Sequence, residues 1–303
     1  MLFVIASQIK QEHPGNESIR LDYKFSLFLA KLLLMKFVYY CFFLFVFETA
    51  LSQPVRYTVA NAHAHNDYVH PVPFWTAYNA GFGSIEADIF LQDSQLLVAH
   101  EEKELVNKRY LEELYLKPIQ SCIEKNNGYV YADTTRQLQL LIDIKTDSIA
   151  TLNRLITVLQ NYPALISNPS LKIVITGGRP PAEKFSFYPS YILFDGNLGT
   201  EYSKESLDKI AMLSSSFRNY SAWNGYGKIP PKEKKLLKDQ IDKAHALEKP
   251  VRFWEAPDVR NAWGELMLLK ADYINTDHIN ELAVFFKNHR STSQSFTTKH
   301  NKE

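Results

Sequence analysis

Glu86 and Asp88 stand two residues apart within the apolar run Ser84 to Leu91, and Asp143 and Lys145 stand two apart within Leu138 to Lys145. Along a strand, residues two apart face the same side, so each pair shares a face if those runs are strands. His63-Ala64-His65-Asn66-Asp67-Tyr68 follows the run Tyr57 to Ala62, and His100 follows the short run Leu96 to Ala99. Three carboxylates converging from neighbouring strands repel one another unless a positive charge lies among them. A hard divalent cation, Ca²⁺ or Mg²⁺, suits Glu86, Asp88 and Asp143, because such ions take oxygen ligands and let water complete the shell. Two imidazoles beside that cation suit general base and general acid work on a phosphoryl group. That gives one role to His100 and the other to His63 or His65. Lys145 is placed to neutralise charge developing on phosphate oxygens.

Positioning these groups requires a scaffold whose strand ends converge. From Val55 onward, short apolar runs bounded by turn residues alternate with amphipathic segments, as in a parallel sheet wrapped by helices. Strands are predicted at Tyr57 to Ala62, Ser84 to Leu91, Leu138 to Lys145, Leu171 to Thr176, Tyr191 to Asp195, Tyr220 to Trp223, Val251 to Trp254 and Asp272 to Asn275, with Leu96 to Ala99 as an excursion beside the second. Eight is the number a TIM-type (β/α)8 barrel needs, and such barrels carry their chemistry at the C-terminal strand ends. Helices are predicted at Trp75 to Ala80, Ile149 to Gln160, Lys204 to Ala211, Pro231 to Leu247, Val259 to Lys270 and Ile279 to Asn288. Asp258 and Asp277 read as N-terminal caps of the last two.

His65-Asn66-Asp67-Tyr68, Glu86-x-Asp88 and Val98-Ala99-His100, in that order, resemble the signature of the phosphatidylinositol-phospholipase-C-like and glycerophosphodiester phosphodiesterase superfamily. Within it the chain is most similar to the altered inheritance of mitochondria protein 6 group, over roughly Asn61 to Leu282. The resemblance implies a PLC-like phosphodiesterase barrel with His65 and His100 as acid and base, Glu86 and Asp88 on the metal, and Asn66 as an added ligand. It favours His65 over His63, since His-Asn-x-Tyr matches the phospholipase form. The usual third metal carboxylate is Glu followed two residues on by Lys; here it is Asp143, one methylene shorter. Glu101 stands where the superfamily commonly has Asp or Gly.

The 303 residues are 46% hydrophobic and 22% charged, enough to bury a full core, and the net charge of +1 excludes the basic field that nucleic-acid binding requires. The expected partner is a phosphodiester small molecule or lipid, with contact to a membrane surface. Met35-Lys36, the apolar residues 37 to 47 and Ala50-Leu51-Ser52 read in order as a signal peptide over 35–53, which implies export. An alternative is a membrane anchor over 25–47. Residues 1–34 read as an untranslated or disordered extension, 55–290 as the barrel and 291–303 as a disordered tail. Two other functions stay open. His63-x-His65 is how amidohydrolase-type metal centres begin, although the middle strands offer no further histidine. A catalytically silent barrel binding a phosphorylated ligand is the other. Arg252 and Glu255, which flank Trp254, read either as site residues or as an internal ion pair.

Overall fold

Short runs of buried residues pair side by side to form the frame: β1 (Ala62–Ala64), β2 (Ser84–Gln92), β3 (Gln95–Val98), β4 (Leu138–Ile144), β5 (Leu171–Gly177), β6 (Ile192–Asn197), β7 (Ile210–Ser216), β8 (Val251–Trp254) and β9 (Ile274–Thr276). The structure, a computed structural model, describes residues 57–288 together with 31–33 and 35–36. The order is β8-β7-β6-β5-β4-β2-β1-β9, every neighbour parallel, and a parallel bridge between Arg252 and Tyr273 brings β8 back to β9. Eight parallel strands therefore form a nearly closed barrel, the predicted (β/α)8 class. β3 pairs antiparallel with β2 outside the ring, as the excursion was expected to do.

β4 and β5 are buried almost throughout, as strands covered on both faces should be. Outward side chains such as Ile85, Ile142 and Ile175 join the main core beneath the helices, whereas Leu141, Val174 and Met212, with Leu193 and Tyr273, form a separate small apolar plug. These five positions point into the barrel. Two residues further along each strand the inward position is polar: Asp143, Thr176, Asp195, Ser214 and Asn275. The change from apolar to polar within one pleat creates the floor of a site.

The helix at Trp75–Ala80 matches its predicted limits, and those at Ser148–Leu159, Pro231–Ala246 and Arg260–Leu269 lie within one or two residues of theirs. Residues 279–288 are helical as expected. Two strands differ. Residues 59–61 form a 3₁₀ turn because Thr58 Oγ1 takes the Ala60 N–H and Asn61 Oδ1 takes the Thr58 N–H, so β1 starts only at Ala62. Tyr220 to Trp223 is a loop, tied down by Ser221 accepting from Trp223 N–H and donating to Glu233. The sixth barrel strand is β7 instead, whose second half, Ser214-Ser215-Ser216, carries no apolar signal, and the helix predicted to Ala211 stops at Leu207 before it. A helix at Lys117–Lys125 was not predicted; it continues directly from a π-helical turn at Glu112–Leu116.

The chain divides into units Met1–Val55 and Arg56–Glu303, and the five described residues of the first are helical. Among the described residues no helix is long and apolar enough to cross a membrane. The expected signal peptide, the anchor over 25–47, the N-terminal extension and the tail fall almost wholly outside the described residues.

Candidate active site

β2 and β4 run in register with Asp88 opposite Asp143, and the inward alternation adds Glu86 one pleat below Asp88. Carboxylate oxygens of Glu86, Asp88 and Asp143 lie within 4.8 Å of one another. Lys145 spans two of them, its Nζ 2.9 Å from Asp88 Oδ2 and 2.7 Å from Asp143 Oδ2. The convergence expected from spacing is thus present for all four residues.

Each carboxylate uses one oxygen within the protein and leaves another. Asp88 Oδ2 also accepts from the Tyr68 hydroxyl at 2.8 Å, while Asp88 Oδ1 and Asp143 Oδ1 are buried without a hydrogen-bond partner. Glu86 Oε2 accepts from Arg252 Nη1 at 2.7 Å and lies 2.7 Å from His63 Nε2. Burial would raise the Glu86 pKa, but the Arg252 guanidinium and His63 outweigh it and hold the carboxyl well below the usual range. Asp88 behaves oppositely: burial first, then repulsion from Glu86 and Asp143, pushes it up to about 6 despite Lys145. Asp143 is also raised, burial outweighing its lysine.

Across the barrel Asp195 is buried, its Oδ2 accepting from Thr176 Oγ1 at 3.0 Å and Ser214 Oγ at 2.6 Å, with Arg252 Nη2 at 3.8 Å and Oδ1 unpartnered. Four carboxylates therefore face two cations, Lys145 and Arg252, an excess of two negative charges when all are ionised. Two unpartnered oxygens in a hard, all-carboxylate donor set with that excess fit a divalent cation of the Ca²⁺ or Mg²⁺ class. Asn66 reaches this cluster through Tyr68, whose hydroxyl lies 2.9 Å from Asn66 Oδ1 and 2.8 Å from Asp88 Oδ2.

His63 and His65 both point inward but occupy different layers. His63 is fully buried, with Nδ1 2.8 Å from Ser84 Oγ and Nε2 2.6 Å from Arg252 Nη1. Burial and Arg252 push its pKa down to about 4, so it is a neutral ring locked in the floor. His65 is at the mouth, its side chain 31% exposed, with Nδ1 2.9 Å from Asp277 Oδ1 at the end of β9. Burial alone would lower the His65 pKa, but the Asp277 hydrogen bond and the charges of Glu86 and Asp277 raise it, while His65 in turn lowers that of Asp277. His100 is half-exposed, with Nδ1 3.2 Å from the Tyr68 hydroxyl and 3.5 Å from Asp88 Oδ2. Among the described residues no side chain hydrogen-bonds Nε2 of His65 or of His100, so each ring has one engaged and one free nitrogen.

Several participants carried no local signature. Asp258 and Asp277 do not cap helices as expected. Asp258 accepts from Trp263 Nε1 at 2.7 Å, Thr276 Oγ1 at 3.1 Å and Asp277 N–H at 2.7 Å, leaving Val259 at the cap position without a side-chain bond. The expected Arg252–Glu255 pair does not form: Arg252 turns inward to Glu86, and Glu255 accepts from Ser216 Oγ at 2.5 Å. Arg179 donates to Asn197 Oδ1 at 2.8 Å, joining the ends of β5 and β6. The group of potential metal ligands among the described residues, Glu86, Asp88 and Asp143, contains no histidine.

Residues 53–164, which include both mouth histidines, Tyr68, the three carboxylates and Lys145, match the AIM6-like phosphodiesterase domain family. Over these residues the chain is similar to that domain. Residues 250–279, with Arg252, Asp258 and Asp277, match the glycerophosphoryl diester phosphodiesterase family. The altered inheritance of mitochondria protein 6 homolog of Arthroderma benhamiae is 28% identical over 74% of this chain and 83% of its own length. Altered inheritance of mitochondria protein 6 of Eremothecium gossypii is 25% identical over 75% and 69%. A solved glycerophosphodiester phosphodiesterase from Parabacteroides distasonis, 15% identical, covers 76% of this chain and 98% of its own with a TM-score of 0.49. The resemblance read from the motifs is borne out by the family and sequence matches.

Proposed function

We propose that this domain is a metal-dependent phosphoric diester hydrolase acting on a glycerophosphodiester or phospholipid-type phosphodiester. The observation that carries the reading is the pair of mouth histidines, each engaged through Nδ1 and free at Nε2, beside a three-carboxylate cluster with two unpartnered oxygens. Glu86, Asp88 and Asp143 would hold Ca²⁺ or Mg²⁺. When bound, such a cation supplies positive charge for phosphoryl oxygens.

His65, with Nδ1 on Asp277, presents Nε2 as general base and takes the proton of the attacking hydroxyl or water. The attacking oxygen bonds phosphorus, the bond to the leaving oxygen breaks, and His100 Nε2 gives that oxygen a proton. Asp277 offsets the charge His65 acquires. Lys145, already placed by two carboxylates, neutralises charge on phosphate oxygens. Export and contact with a lipid surface belong to the same reading, supported by the apolar run at 37–47 in the sequence.

Hydrolysis of bis-p-nitrophenyl phosphate before and after chelation tests it. Turnover should vanish with chelator and return with Ca²⁺ or Mg²⁺; turnover indifferent to chelation would overturn the reading.

A further inference from the structure

Tyr68 is buried at 1% exposure, yet its hydroxyl reaches three polar groups of the mouth: Asp88 Oδ2 at 2.8 Å, Asn66 Oδ1 at 2.9 Å and His100 Nδ1 at 3.2 Å. A phenol has one proton to give and can accept in return. The charged acceptor, Asp88, makes the stronger bond. With its proton on Asp88, the Tyr68 oxygen accepts, and His100 Nδ1 is the donor within reach when that nitrogen carries hydrogen. Apart from Tyr68, His100 Nδ1 has only Asp88 Oδ2, at 3.5 Å, a distance at which the hydrogen bond is weak. The ring is otherwise half-exposed and follows the end of a strand outside the barrel, so little packing fixes it.

We infer that Tyr68 is the positioning residue of His100: its hydroxyl accepts from Nδ1–H in the charged ring and keeps that tautomer in the neutral one, so the proton given comes from Nε2, which is aimed at the mouth. The inference rests on the functional reading only for what the aimed nitrogen does. The main chain helps to place the hydroxyl. Asn66 adopts a left-handed conformation, φ 47°, and the 3₁₀ turn Asp67–Val69 that follows drives Tyr68 back into the barrel. Asp67 anchors that turn by accepting from Phe74 N–H at 2.5 Å and Tyr115 Oη at 2.9 Å. Tyr68 is thus held from both sides while its hydroxyl alone meets the catalytic groups.

Tyr68→Phe in the full chain removes the hydroxyl and keeps the buried ring. Long-range ¹⁵N–¹H correlation spectra of the histidine side chains, with His100 assigned from His100→Gln, should show one Nδ1–H tautomer in the native chain and a mixture in Tyr68→Phe. With Mg²⁺ or Ca²⁺ supplied at saturation, turnover of an alkyl phosphodiester should fall roughly tenfold, and that of a nitrophenyl ester, whose leaving group needs little protonation, by less than about twofold. An unchanged tautomer in Tyr68→Phe would overturn the inference. So would equal losses on both esters, which would assign Tyr68 to the cation's surroundings. If the native chain cleaved neither ester, the functional reading would fail, and the spectrum would still decide the role of Tyr68.

Discussion

Nδ1 of His65, at the end of the first barrel strand, lies 2.9 Å from Oδ1 of Asp277, at the end of the last. Two residues 212 positions apart in the chain are thereby made one unit, and Asp258 holds that unit by accepting the Asp277 backbone N–H.

Removing the charge of this unit should act through His65. Asp277→Asn lowers the His65 pKa, so the acid limb of the pH–rate profile moves to lower pH, and maximal turnover falls by less than the roughly hundredfold or more expected for His65→Ala. A profile with an unmoved acid limb would show that Asp277 does not govern the base.

Glu86→Gln is expected to cost more than cation binding. It leaves the Arg252 guanidinium, itself buried, without its carboxylate, a loss of roughly 3 kcal/mol or more in folding stability. Asp143→Asn, near the mouth and paired with a lysine that keeps Asp88, should remove most cation affinity with much less loss of stability. Urea denaturation together with calorimetric Ca²⁺ titration separates the two; equal destabilisation by both variants would contradict the buried-pair argument.

Asp88 makes metal-free stability pH-dependent in a stated direction. Its folded pKa is pushed up to about 6, by burial and then by Glu86 and Asp143, above the roughly 3.9 of an unfolded aspartate. The folded state therefore binds the proton more tightly, and stability falls as pH rises from about 4 to about 6, by roughly 3 kcal/mol. Denaturation of chelated protein across that window should show this slope, Asp88→Asn should lack it, and added Ca²⁺ should flatten it. Identical slopes in native protein and Asp88→Asn would refute the assignment.

Gly177 has φ +67°, and a Cβ there would fall 1.8 Å from Asp143 Oδ1. Gly177→Ala should therefore displace the very oxygen left open in the cluster, weaken Ca²⁺ binding in calorimetry, and cost about 1–3 kcal/mol through the left-handed backbone. Native affinity in that variant would mean Asp143 is not a ligand.

Local spacing made much of this architecture readable. Glu86-x-Asp88 and Asp143-x-Lys145 gave their shared faces directly because strand alternation is a rule of two residues. Depth within the barrel is not written in spacing: His63 and His65 obey the same alternation, and only the sheet register puts the first under the floor and the second at the mouth. Asp195 was illegible as a site residue, and the role of Arg252 stayed open, because their partners come from other strands of the barrel. β7 was missed because its inward serines serve Asp195 and Glu255 rather than an apolar core.

β8 and β9 meet through one bridge and few backbone bonds, whereas β4 and β5 pair along seven residues. Native-state hydrogen exchange at 251–254 and 274–276 should accordingly be faster than at 138–144, because local opening starts where the ladder is shortest. The seam lies between the strand bearing Arg252 and the strand leading to Asp277. A transient parting there would separate the guanidinium of the floor from the imidazole at the mouth, admitting water to the polar layer without unfolding the wall that carries the acidic cluster.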